Sequence, residues 1–358
     1  MTIAAQPSIR PNISLADDDH EQIVVRQDRS TGLRMVVAVH STVLGPALGG
    51  MRLKRYPGGL REALEDVMAL ARTMTLKASA AGLDLGGGKA VMIDDGDTSS
   101  REARLEAAAR VVDGLGGAYI TAEDIGTTTA DMDFMSGYTR YVVGRSVGRG
   151  GGGDPSPVTA ESVFQAIRRG LAAATGSHEL EGRRVGVIGV GKVGGALAVR
   201  LVASGARVLA CDIDAERCKR FGDEHGVEVA GSAEAIMASE LDVLAPCAAG
   251  GTIDDALAAS IDCRVVAGAA NNPLTSGGVA ATLMRRGILY VPDFLANCGG
   301  LIHVSREWYG EQGPGEDELI ARAMERLELA IETAESEGVP PIQVAERQAL
   351  ERVEAARA

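Results

Sequence analysis

The sequence predicts an α/β protein of two units, the second a doubly wound parallel sheet. Three observations predict it. Beyond residue 157, short β-branched runs (RRVGVIGV, ARVLACD, LDVLAP, CRVVAGA, ILYVPDF) alternate with helical or turn segments, which is the rhythm of βαβ units. Just before them, GRSVGRGGGGDPSP (residues 144–157) breaks the composition, and a glycine-rich stretch with a proline exit marks a boundary. At 358 residues the chain can also fill two cores.

The elements follow in order. Residues 1–20 are polar and irregular and end in Asp17, Asp18 and Asp19. QIVVRQD and RMVVAVH read as two strands around the turn at residues 29–32. From Gly59 to about Ser79, the positions Ala63, Leu64, Val67, Leu70, Ala71 and Met74 fall at helical spacing, with Lys77 near the end. The strand KAVMI then starts at Lys89, after a glycine turn. A helix over about 100–113 leads to the short strand AYITAE. A charged helical tail runs from about 316 to 357, and its last part, about 330–358, is expected to pack back on the first unit.

Composition narrows the function. The chain is 46% apolar and 24% charged, and 36 Lys and Arg against 49 Asp and Glu give a net charge of −13. That balance argues against nucleic acid as a partner. No signal-peptide core and no apolar run of about 18 residues is present, so no membrane association is expected. The five cysteines lack CxxC spacing and read as reduced thiols of a cytoplasmic protein. Five scattered histidines without HExxH give no expected metal site.

The clearest motif is Gly189, Val190, Gly191, Lys192, Val193, Gly194, a GxGxxG between the strand RVGVIG and the helix KVGGALAVRLVASG. Gly189 would make the tight turn, Gly191 admit a pyrophosphate, and Gly194 let helix and strand approach, with the helix N-terminus facing the phosphates. This is a Rossmann-type signature. Asp212 lies 21 residues after Gly191, where a carboxylate accepts hydrogen bonds from the adenosine ribose and repels a 2′-phosphate. NAD is therefore expected over NADP, although Arg217, Lys219 and Arg220 are neighbouring cations that could tolerate the phosphate.

In GLDLGGGKAVM (residues 82–92) three glycines precede Lys89. This is no phosphate loop, because Leu83 and Ala90 occupy the first glycine and hydroxyl positions of that pattern. Lys77 and Lys89, twelve residues apart, can reach one cleft. One ammonium would hold a substrate carboxylate. The other, flanked by glycines and near a like charge, would have its pKa lowered and serve as a general base. Two solvated surface lysines are the alternative. Asp124, just after a strand, reads as a proton-transfer group or as a helix cap.

Taken together, LGPALGGMR (44–52), MTLKASAAGLDLGGGK (74–89), YITAEDIGTT (119–128), GDPSPVTA (153–160), the GxGxxG unit, APCAAGG (245–251), AGAANN (267–272) and PDFLANCGG (292–300) resemble the glutamate/leucine/phenylalanine/valine dehydrogenase superfamily over nearly the full length. The leucine and valine enzymes look most similar. The resemblance implies residues 1–145 as a substrate-binding, catalytic and oligomerisation domain. It implies residues 146–330 as the NAD-binding domain, with a cleft between the two. It further implies Lys89 as the catalytic base, Asp124 as its partner in proton transfer at the amine, and Lys77 as the carboxylate ligand. Gly49 and Gly50 would shape the carboxylate site, and Thr159 and Asn272 would lie near the nicotinamide, Asn272 also near substrate. Cys247 and Ala248 of APCAAGG fall on the cofactor side. The implied reaction is reversible oxidative deamination of an L-amino acid.

Leu48 stands where glutamate-using relatives carry a lysine, and Ala122, Leu301 and Val304 match other pocket positions. An apolar cup for leucine, valine or isoleucine is expected, with phenylalanine dehydrogenase as the alternative because AGAANN and the glycine-rich linker also suit that branch. An NAD-binding regulator on a degenerate fold would be marked by loss of Lys77, Lys89 or Asp124, and all three are present. Cys298 replaces a residue that is usually alanine, with His303 following, and packing is its expected role. A homo-oligomer is expected, its size left open by a tail shorter than that of octameric leucine enzymes.

Overall fold

The computed structural model describes residues 19–96, 100–248, 250–310 and 313–357. Asp17 and Asp18 of the acidic run and the third alanine of APCAAGG lie outside the described residues.

The first sheet contains β1 (Gln22–Asp28), β2 (Leu33–Ser41), β3 (Ala47–Lys54), β4 (Gly86–Ile93) and β5 (Tyr119–Glu123), in the order β1-β2-β4-β3-β5. β1, β2 and β4 pair antiparallel, whereas β4, β3 and β5 are parallel. Strand alternation divides the core in two. Val36, Ala38 and Val91 face Ala63, Val67 and Ala71 of α1 (Gly59–Ala80). Met35, Val37, Val39 and Met92 face Leu105, Ala108 and Val112 of α2 (Arg101–Gly114) and Met132 of α3 (Thr129–Met135).

The chain then enters α4 (Ser156–Thr175) and a second sheet. Its strands are β6 (Arg184–Ile188), β7 (Arg207–Cys211), β8 (Glu228–Val229), β9 (Val243–Pro246), β10 (Val265–Val266) and β11 (Leu289–Tyr290). They are ordered β11-β10-β9-β6-β7-β8, with every pairing parallel. The connecting helices are α5 (Lys192–Ala203), α6 (Ala215–His225), α7 (Ala233–Met237), α8 (Asp255–Ala258) and α9 (Gly277–Arg285). The chain runs outward from β6 through β8 and returns to β9, so the topological switch lies beside the turn after β6. α10 (Asp293–Ala296) and α11 (Gly299–Tyr309) lead to α12 (Glu316–Glu337) and α13 (Pro341–Arg357). α12 packs on α4, and α13 returns to α1. There the Ser79 hydroxyl donates to the Ala349 carbonyl at 2.7 Å, and Arg352 pairs with Asp84 at 2.7 Å. No described helix is long and apolar enough to cross a membrane.

Three local expectations change. The residues before Lys89 form no turn: Gly86, Gly87 and Gly88 are inside β4 and fully buried. A β-carbon on Gly86 would stand 1.8 Å from the Ser41 carbonyl oxygen, and one on Gly88 would stand 2.7 Å from the Tyr119 ring. Protein, rather than substrate or cofactor, fills the space these glycines leave. β3 and α4 are elements the sequence reading did not name: Gly49 and Gly50 interrupt the alternation of the first, whereas the second opens with proline and buries Val163, Ile167 and Leu171 at helical spacing. The charged tail is two helices, since Gly338 adopts φ +69° and closes α12.

Candidate active site

Lys89 projects from the centre of β4 and is 7% exposed. Its ammonium lies 2.8 Å from Oδ2 of Asp124, the first residue past β5. The turn that carries Asp124 is fixed by Thr127, whose hydroxyl accepts from the Asp124 amide at 2.9 Å and donates to the Met51 carbonyl at 2.8 Å. Gly50 makes room for that turn, because a β-carbon there would meet the Asp124 Cβ at 2.7 Å. Gly49 lets β3 and β4 approach: its β-carbon would stand 1.8 Å from the Gly88 carbonyl oxygen. Its own carbonyl accepts the buried Tyr119 hydroxyl at 2.7 Å.

The same Asp124 oxygen receives Arg52 Nε at 3.1 Å. Behind it, Arg52 Nη1 pairs with Asp66 of α1 at 3.1 Å, and the Tyr56 hydroxyl donates to Asp66 at 2.6 Å. Burial alone would raise the Asp124 pKa. The charge and hydrogen bond of Lys89, then the charge of Arg52, overcome it and hold the carboxyl below its usual range.

Lys77 reaches across the cleft from the last turn of α1, and its ammonium donates to Asn271 Oδ1 at 3.2 Å. That oxygen also accepts from Asn297 Nδ2 at 3.0 Å. Nearby, Asp293 accepts the Asn272 amide at 2.8 Å and the Tyr290 hydroxyl at 2.9 Å. Burial lowers the Lys77 pKa, opposed by Asp293 and reinforced by the like charge of Lys89. Asn272, expected near the nicotinamide and substrate, turns its backbone at φ +48° and gives Asp293 its amide, and its neighbour Asn271 meets Lys77.

The apolar residues Leu48, Ala122, Leu301 and Val304 belong to one cluster. A β-carbon on Gly144 would lie 3.9 Å from Val304 Cγ1 and 4.0 Å from Ala122 Cβ, so these two residues face each other where the first unit ends. Ala122, Leu301 and Val304 keep 5%, 7% and 8% exposure, whereas Leu48 keeps 1%. Glu307 of α11 accepts the Gly144 amide at 2.8 Å and pairs with Arg145, tying that corner to the helix bearing Leu301 and Val304.

The glycine-rich turn has the geometry a dinucleotide needs. Gly189 turns at φ +98°, and its β-carbon would meet the Ala248 Cβ at 3.0 Å. At Gly194 a β-carbon would stand 1.9 Å from the Gly189 carbonyl oxygen and 2.9 Å from the Cys247 Cβ, so helix and strand touch there. Gly191 has nothing within 4 Å of its β-carbon direction, leaving open space beside the N-terminus of α5. Val190 is buried and Val193 half-buried against the core, while Lys192 is exposed and pairs with Asp154 at 3.2 Å. Thr159, in the first turn of α4, donates to the Pro155 carbonyl at 3.0 Å and would meet a β-carbon on Gly300 at 2.8 Å. Asp212 caps β7 and is already engaged. It accepts from the Val190 amide at 2.9 Å and the Asp214 amide at 3.0 Å, and pairs with Arg217 at 2.6 Å.

Among the described residues, no group of three His, Cys, Asp or Glu could hold a metal ion. Cys298 is fully buried, and burial pushes its thiol up to about 12. Arg52, Asp66, Asn271 and Asn297 carried no separate expectation. Three of them sit inside the quoted motifs, but only folding brings their side chains to the lysines.

A family model described as Glu/Leu/Phe/Val dehydrogenase, dimerisation domain, matches residues 20–141, and one described as Glutamate/Leucine/Phenylalanine/Valine dehydrogenase matches residues 212–358. The chain is 41% identical over 339 residues to a leucine dehydrogenase of Thermoactinomyces intermedius, covering 95% of this chain and 92% of the relative. It is 43% identical over 343 residues to a valine dehydrogenase of Streptomyces virginiae, covering 94% and 95%. Among solved structures, L-tryptophan dehydrogenase from Nostoc punctiforme superposes with a TM-score of 0.82 at 32% identity, covering 95% of this chain and 97% of that one. This chain belongs to the glutamate/leucine/phenylalanine/valine dehydrogenase family, the amino acid dehydrogenases.

Proposed function

We propose that the protein catalyses the NAD-dependent, reversible oxidative deamination of a branched-chain L-amino acid (leucine, valine or isoleucine) to the 2-oxo acid, ammonia and NADH. The observation that carries this reading is the buried Lys89–Asp124 pair at 2.8 Å, in one cleft with Lys77 and next to an apolar wall.

In this reading, Lys77 binds the substrate carboxylate. Burial lowers its pKa, and an arriving carboxylate favours its charged form. Gly49 and Gly50 bring β3 close to that group. The dinucleotide would be held by the turn of Gly189, Gly191 and Gly194, with Thr159, Cys247 and Ala248 beside it, and when bound it supplies the hydride acceptor. Lys89 takes a proton from the water that attacks the substrate imine and returns it as ammonia leaves, while Asp124 accepts from the amine and balances charge. Leu301, Val304, Ala122 and Leu48 receive the aliphatic side chain.

NAD is preferred in this proposal because Asp212 presents a carboxylate at the end of β7, with Arg217 neutralising part of its charge. Assembly into a homo-oligomer is part of the same reading: the matched N-terminal model is a dimerisation domain, and the edge strand β1 exposes Val25. A cytoplasmic setting is supported by five free cysteines, four of them buried. The test is initial rates with leucine, valine, isoleucine, phenylalanine, tryptophan and glutamate, with NAD and with NADP. Aliphatic substrates with NAD should lead; phenylalanine or tryptophan leading would reverse the substrate assignment.

A further inference from the structure

Resting on the reading of Lys89 and Asp124 as the proton-transfer pair, we propose that Arg52 is a positioning residue. Its guanidinium locks Asp124 against Lys89 and takes a share of that carboxylate, which sets the pH range in which Lys89 works as a base.

One oxygen, Asp124 Oδ2, is 2.8 Å from the Lys89 ammonium and 3.1 Å from Arg52 Nε. Arg52 is anchored from behind, since its Nη1 lies 3.1 Å from Oδ2 and 3.4 Å from Oδ1 of Asp66, and Asp66 is held by the Tyr56 hydroxyl at 2.6 Å. The result is a ladder of alternating charge, Lys89, Asp124, Arg52, Asp66, leading from the cleft to helix α1. A planar guanidinium, with donors on separate nitrogens and a charge that persists at all working pH, is suited to span two carboxylates at once. The Arg52 side chain is 14% exposed and that of Asp124 19%, so solvent screens the arrangement weakly.

The electrostatic consequence has a definite sign. Asp124 alone would hold Lys89 firmly as an ammonium, and an ammonium is no base. Arg52 divides that attraction and adds a second positive charge behind it, favouring release of the Lys89 proton. Asp66 acts in the opposite sense by neutralising Arg52. The other groups facing the pair are Lys77 from α1 and Tyr119 from β5, with Asp293 and Cys298 beside Lys77. None of these bridges Asp124 to a second element as Arg52 does.

The experiment is the pH profile of kcat/KM for amino acid deamination in the full-length protein, with NADH binding by fluorescence and circular dichroism as checks of folding. In Arg52→Met the acid limb should move up by about one pH unit, and kcat at neutral pH should fall at least about tenfold. Arg52→Lys should return the limb to its wild-type position with only part of the rate. Asp66→Asn leaves Arg52 charged and less neutralised, so its limb should move down, and it keeps the test open should Arg52→Met fail to fold. A wild-type limb in folded Arg52→Met, or shifts of the same sign in Arg52→Met and Asp66→Asn, would overturn the proposal. Absence of deamination by the wild-type protein would instead refute the functional reading beneath it.

Discussion

Gly87 lies so close to Thr75 that a β-carbon at residue 87 would stand 2.0 Å from the Thr75 amide nitrogen and 2.3 Å from its hydroxyl. The contact is the seam between β4 and α1, the two elements that carry Lys89 and Lys77. A side chain at 87 would push helix and strand apart and, with them, the two amines.

Gly87→Ala is therefore expected to cost about 3 kcal/mol or more, because the obstacle is backbone that cannot rotate away. A thermal melt reads it directly. A melt within a degree of wild type would show that α1 can slide without penalty.

Lys89→Ala should lose about 100-fold or more in kcat, the scale of a missing general base. NADH affinity, followed by fluorescence titration, should stay at the wild-type value, since Lys89 lies in the other sheet from the glycine-rich turn. Equal losses of binding and turnover would remove Lys89 from the chemistry.

Leu301→Ala enlarges the cup at a position that keeps 7% exposure. Since one methylene changes discrimination by about 1–3 kcal/mol, kcat/KM for phenylalanine relative to leucine should rise about tenfold or more. An unchanged ratio would mean that the Leu301 side chain does not border the substrate.

His40 is buried, with Nδ1 2.8 Å from the Thr75 hydroxyl and Nε2 3.1 Å from Asp19. Burial lowers its pKa below 6.5 despite Asp19, with His20 and Arg72 adding to the fall. A lowered histidine means that the unfolded chain binds the proton more readily. Stability should therefore rise with pH between the folded value and 6.5, and fall on acidification through that window. Melting temperatures across about pH 5.5 to 7.5 should show this slope, and His40→Gln should flatten it.

Cys298 should resist thiol reagents in the folded protein at pH 8 and react after denaturation, because burial pushes its thiol up to about 12. Peptide mapping after labelling separates it from the less buried Cys247.

The second sheet was legible in the sequence because every strand there except the exposed edge strand β8 lies in a short apolar run closed by a turn, and the GxGxxG fixes the first of them. The first sheet was less so. Its middle strands β3 and β4 contain Gly49, Gly50 and the Gly86–Gly88 run, which suppress the strand pattern and are required by close packing that no local rule encodes. The site divided in the same way. Lys77, Lys89 and Asp124 stood out through their motifs. Arg52 with Asp66, and Lys77 with Asn271, are pairs separated by 14 and 194 residues, and only the folded chain matches them. Asp124 meets Lys89, while the Asn271 amide oxygen meets Lys77.

That amide oxygen holds Lys77 in place before substrate arrives. Asn271 Oδ1 occupies one of the three donor directions of the Lys77 ammonium at 3.2 Å. An incoming carboxylate can take another, and adds the charge pairing that an amide oxygen lacks. The carboxylate is common to every amino acid and does not distinguish among them. Recognition is left to the side chain and to the closeness of its fit against Leu301 and Val304.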